Sequence, residues 1–82
     1  MILVDVYVPA VNEQYDFKVD EDVPIAHVAE EIGEILTAGR AQRDEEMIGD
    51  LLLCDDSRKV ILPMNETLKQ NGIGNGSRLV LI

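Results

Sequence analysis

The sequence predicts an α+β domain of two layers, a mixed β-sheet covered on one face by a single helix. Three observations predict it. Residues 2–8, 14–20 and 78–82 read as strands with period-two parity, whereas only residues 25–36 show the 3.6-residue period of an amphipathic helix. One such helix can cover only one face of a sheet. The first and last strands are the most apolar, which places them side by side at the sheet's centre.

The elements follow in order. Residues 2–8 form a strand rich in β-branched residues and stopped by Pro9. Asp5 sets its parity: Ile2, Val4, Val6 and Val8 face the core, and Leu3, Asp5 and Tyr7 face away. After a turn over residues 10–13, residues 14–20 send Tyr15, Phe17 and Val19 inward and their charges outward, completing a hairpin. The acidic turn Glu21-Asp22 and Pro24 then start a helix. Its inner stripe is Ile25, Val28, Ala29, Ile32, Ile35 and Leu36, with Glu30, Glu31 and Glu34 off that face. Acids before the first turn suit the helix dipole, and Gly39 is the expected C′ stop.

A polar loop over 40–47 leads to a strand over 50–54, a turn at Asp55-Asp56-Ser57, and a strand over 59–62 that Pro63 ends. Residues 62–77 are turn-rich. Their two Asn-Gly pairs, Asn71-Gly72 and Asn75-Gly76, supply the positive φ of tight reversals. The last strand, residues 78–82, puts Leu79 and Leu81 inside and Arg78, Val80 and Ile82 outside. The order ββαβββ with one helix is that of the ubiquitin-like β-grasp, and residues 1–82 are expected to form one such domain.

Composition narrows the function. The chain has 82 residues, enough for one small core burying about 60% of the unfolded surface. Sixteen acids against seven bases give a net charge of −9. Nucleic-acid binding rests on Lys and Arg neutralising phosphates, and no basic stripe exists here, so no nucleic acid is expected. An anionic membrane surface would repel the chain, and no apolar run approaches the length of a span. A protein partner is the expectation, one with a basic face. Met1 opens directly into a strand, so no signal peptide or anchor is expected. The single Cys54 fits a reducing, cytoplasmic setting.

No constellation for catalysis is expected. His27 has no Cys or carboxylate at metal-ligand spacing and reads as a surface or boundary histidine. Cys54 has no second cysteine or triad partner and reads as a strand residue. Asp20-Glu21-Asp22 lacks the spaced ligands of a calcium loop. Gly72, Gly74 and Gly76 are followed by no helix and serve turns, not phosphates. Neither an enzyme nor a metal or cofactor site is expected.

The parities allow one sharper inference. With the last strand between the first and the third, Leu3, Tyr7, Leu52, Val80 and Ile82 converge on the face that no helix covers. Burying one such side chain is worth roughly 1.5–3 kcal/mol, so their shared exposure requires an explanation. The functional reading is a protein-docking patch. The alternatives are β-propensity alone and a homodimer through the same face.

The segment Asp22-Val23-Pro24-Ile25-Ala26-His27-Val28, with Thr67-Leu68, Gly72-Ile73 and Asn75-Gly76-Ser77-Arg78-Leu79 near the end, resembles the ubiquitin-like YukD/EsaB family of type VII (WXG-type) secretion systems. The resemblance spans essentially the whole chain. A similar domain opens EccD, the membrane subunit of the actinobacterial systems. The resemblance implies a cytosolic accessory or regulator that binds membrane or ATPase components of the secretion machine without being conjugated. Leu52, Val80 and Ile82 fall where ubiquitin carries its exposed apolar patch. A sulfur-carrier or modifier role is the alternative. It would need a C-terminal Gly-Gly, whereas this chain ends in Leu81-Ile82.

Overall fold

The computed structural model describes residues 1–37 and 51–82. The expected helix stop at Gly39, the loop over 40–47 and Asp50 lie outside the described residues. Strands β1 (Ile2–Val8) and β2 (Glu13–Val19) form the hairpin, and α1 runs over Ile25–Thr37. Then follow β3 (Leu53–Asp55), β4 (Val60–Ile61), a 3-10 turn (Lys69–Asn71) and β5 (Arg78–Leu81). The sheet order is β2-β1-β5-β3-β4, with β1 parallel to β5 and the other pairs antiparallel. This is the mixed ubiquitin-like sheet that the apolar character of the first and last strands predicted.

The strand parities hold. Ile2, Val4, Val6 and Val8 of β1 join Val19, Leu53, Leu79 and Leu81 in the core, against Ile25, Val28, Ala29 and Ile32 of α1. Tyr15 and Phe17 line the margin as a tilted ring pair 5.9 Å apart.

Two elements differ from expectation. Ile35 is 54% exposed, and Gly33 and Thr37 are buried where the stripe was to continue through it. An ideal Cβ on Gly33 would lie 2.5 Å from Leu51 Cδ1, so the missing side chain lets Leu51 approach the helix there. The helix therefore buries the Gly33–Thr37 side and turns Ile35 outward. The Thr37 hydroxyl is satisfied within the helix, donating to the carbonyls of Gly33 (3.0 Å) and Glu34 (3.3 Å).

The second difference is at Asp55, expected in a turn. It is instead the last residue of β3 and only 4% exposed. The turn runs over residues 56–59, closed by Lys59 N–H donating to the Asp55 carbonyl at 2.8 Å, with Lys59 at φ 57°. β4 is correspondingly short.

The start of α1 is satisfied by backbone acceptors, which the sequence pattern does not address. Its first N–H groups, on Ile25 and Ala26, donate to the carbonyls of Glu66 (2.8 Å) and Met64 (3.0 Å). Backbone from the loop after β4 thus fills the orphan positions that a side-chain cap would otherwise take. That loop is locked in turn by a reciprocal pair. Thr67 N–H donates to Gln70 Oε1 (2.9 Å), and Gln70 N–H donates to Thr67 Oγ1 (3.1 Å), while Leu68 is wholly buried.

Candidate functional site

The β-ladders place the outward residues in rows across the sheet. Tyr7 is the partner of Val80, Val80 of Cys54, and Cys54 of Ile61, so one row crosses four strands from β1 to β4. Gln14 on β2 extends it opposite Tyr7. Beside Val80 and Cys54, Ile82 and Leu52 exchange both backbone hydrogen bonds (2.9 and 2.7 Å) and form a second, shorter row. Neither row carries a charged side chain. Tyr7, Val80, Cys54 and Leu52 are half-buried, whereas Ile61 (59%) and Ile82 (52%) stand exposed.

On the other side of the long row the surface changes character. Asp16 pairs with Asp5, and Asp5 with Arg78, whose carbonyl accepts from Asp56 N–H at 3.1 Å. Arg78 lies 3.7 Å from Asp5, and Lys59 2.9 Å from Asp56. This charged row separates Leu3 from the rest. Leu3 is 52% exposed on the same face but pairs with Lys18 and sits beside the Asn75-Gly76 turn, Asn75 Oδ1 accepting from its N–H at 2.9 Å.

The structure therefore brings together Tyr7, Leu52, Val80 and Ile82 of the five expected residues, and sets Leu3 apart. It adds Cys54 and Ile61. Cys54 was readable from parity as outward-facing. Ile61 was not, because its side depends on the register across a turn that was expected at residues 55–57 and runs instead over 56–59. Burial pushes the Cys54 thiol above its ordinary pKa, so the thiolate is disfavoured.

Elsewhere the chemistry is sparse. His27 is exposed on α1 beside Glu30, Glu31 and Glu34. Among the described residues, no group of His, Cys, Asp and Glu is placed to hold a metal ion, and no helix is long and apolar enough to cross a membrane. A polar cleft lies between the β3–β4 turn and residues 71–78, but Arg58 there is engaged with Asp55 and the Asn71 carbonyl.

The sequence matches, over residues 3–81, the model of the family described as "WXG100 protein secretion system (Wss), protein YukD". The chain belongs to the YukD family. No curated protein matches it in sequence. Among solved structures, this YukD-family chain is similar to the EccD5 ubiquitin-like domain from Mycobacterium xenopi, at 20% identity and a TM-score of 0.76, covering 99% of this chain and 91% of that one. The ubiquitin-like domain of the Mycobacterium tuberculosis type VII secretion protein EccD1 is similar at 16% identity and a TM-score of 0.68, covering 100% and 99%. Caldiarchaeum subterraneum ubiquitin is similar at 15% identity and a TM-score of 0.73, covering 99% and 90%. At these identities the structural likeness establishes the ubiquitin-like fold. The family match carries the assignment.

Proposed function

We propose that this YukD-family chain is a non-catalytic docking module of the WXG100 (type VII) secretion machinery, working in the cytoplasm and binding a membrane or ATPase component of that machine. The observation that carries the reading is the band of uncharged side chains formed by Tyr7, Val80, Cys54, Ile61, Ile82 and Leu52, on the sheet face opposite α1. A contiguous apolar band on an otherwise acidic chain is a surface that contact with another protein would stabilise. Leu3 lies outside the proposed contact, beyond the charged row.

The test is affinity isolation of the tagged protein from its own cells, with a Leu52→Glu/Val80→Glu variant beside it. Circular dichroism first establishes that both fold. Type VII membrane or ATPase subunits recovered with the wild type and lost with the variant support the reading. Equal recovery with both removes the band as the contact. Recovery only of covalent adducts replaces docking with a modifier role.

A further inference from the structure

We infer that the occupant of the band is a cationic amphipathic helix of a partner protein. The inference rests on the docking reading above and specifies the chemistry of what docks. Backbone pairing decides the form of the occupant. The centre of the band lies on β1, β5 and β3, each of which has a strand on both sides. An extended peptide gains most of its affinity by adding a strand to a free edge, and these strands offer none. A helix satisfies its own backbone and needs only an apolar surface.

The dimensions agree. Four strands at about 4.8 Å spacing make the long row some 14 Å across. That is roughly ten residues of helix, close to the 13 residues of α1 on the opposite face. Apolar positions at i, i+4 and i+7 of such a helix would meet successive strands.

Charge decides its sign. The border row carries Asp16, Asp5 and Asp56, of which Arg78 and Lys59 pair with the last two. Asp16 forms no ion pair among the described residues, so this row keeps one net negative charge, with Lys18 in the next row opposite Leu3. The whole chain, at −9, adds a long-range field that attracts a cationic partner. The α1 helix of a second copy brings the wrong sign for this role, because its outward face presents Glu30, Glu31 and Glu34.

The test titrates the isotope-labelled full chain with two synthetic helical peptides of about 14 residues. Both have the same leucine face, flanked by lysine in one and by glutamate in the other. The expected result is that the lysine peptide shifts the amide resonances of Tyr7, Cys54, Ile61 and Val80. Its affinity should fall about tenfold as salt rises from about 0.05 to about 0.5 M, and Val80→Glu should abolish the shifts while Glu30→Gln/Glu31→Gln/Glu34→Gln preserves them. Shifts centred on Glu30, Glu31 and Glu34 would overturn the inference, since the lysines would then be reading only the acidic helix. Equal or tighter binding of the glutamate peptide at the band would overturn the cationic sign and leave the docking face standing. Failure of both peptides to reach the band would overturn the helical occupant, and subunit recovery in the isolation experiment would then show that docking survives without it.

Discussion

Arg58 Nε donates to Asp55 Oδ2 at 2.6 Å, and Nη2 of the same guanidinium donates to the Asn71 carbonyl at 2.5 Å. One side chain thus ties the end of β3 to the 3-10 turn that precedes β5. Asp55 also accepts from Ser57 N–H (3.1 Å) and Ser57 Oγ (2.9 Å), so both carboxylate oxygens are occupied. Burial alone would raise its pKa. The hydrogen bonds from Arg58 and Ser57, with the guanidinium charge, outweigh that and hold the carboxyl below its usual range.

The linkage follows in sign. A carboxyl whose folded pKa is depressed contributes its full stability above the unfolded value of about 3.9 and loses it as pH falls from there through the folded value. Asp55→Asn should therefore destabilise the fold at neutral pH by about 1–3 kcal/mol, since an amide can keep the Ser57 bonds but turns an N–H toward Arg58. Little of that is the ion pair itself, because Arg58 is half exposed. Urea melts of both proteins should show the gap narrowing below about pH 4; a gap independent of pH would remove the carboxylate's charge from the explanation.

Leu68 and Ile35 form a second test, of burial on opposite sides of α1. Leu68 is wholly buried under the loop that receives the helix N-terminus, so Leu68→Ala should cost about 2–5 kcal/mol. Ile35, on the outward side, should tolerate Ile35→Lys within about 0.5 kcal/mol. Comparable losses from the two would mean that the helix does not bury the Gly33–Thr37 side in solution.

The turn glycines separate in the same way. Gly76 sits at φ 82°, and its N–H donates to the Leu3 carbonyl at 2.9 Å, joining the entry of β5 to β1. A Cβ there meets no neighbour within 4 Å, so the penalty of Gly76→Ala is purely backbone strain, about 1 kcal/mol or more. Gly74 has equal space and no positive φ, so Gly74→Ala should be neutral or slightly stabilising. Thermal melts of the two alanine variants check the difference.

These cases show what could be read from residues alone. Strand parity was legible because a single charge, such as Asp5 or Arg78, fixes every neighbour at period two. That placed Tyr7, Leu52, Val80 and Ile82 on one face. Asp5 was legible between Leu3 and Tyr7, but the full charged row across the sheet was not. Whether Leu3 and Tyr7 share a patch depends on the Asp5–Arg78 pairing between them, which is a property of register between strands far apart in sequence. Asp55 was misplaced for a related reason. An acidic residue beside Asp56 and Ser57 has turn composition, and only Arg58 and Ser57 folding back on it make a buried strand position tolerable. Ile35 fitted the helical period but not the packing, which Gly33 and Leu51 determine.

Gly33 gives the last prediction. Alanine there gains about 1 kcal/mol of helix propensity over glycine. Its Cβ would, however, lie 2.5 Å from Leu51 Cδ1, the flexible end of a side chain that can rotate away. Leu51 borders an apolar groove of about 290 Å³, lined also by Val8, Pro9, Leu36, Leu81 and Ile82, which gives the displaced methyl somewhere to go. Gly33→Ala should therefore change stability by less than about 1 kcal/mol in either direction. The double variant Gly33→Ala/Leu51→Ala removes the clash but also deletes partly buried leucine methyls. Its stability should fall below that of Gly33→Ala by less than Leu51→Ala alone costs the wild type, because in the single alanine variant part of the leucine packing is already lost. A double-mutant cycle measured by urea denaturation gives that coupling directly. Strict additivity would mean that Leu51 does not rest against Gly33.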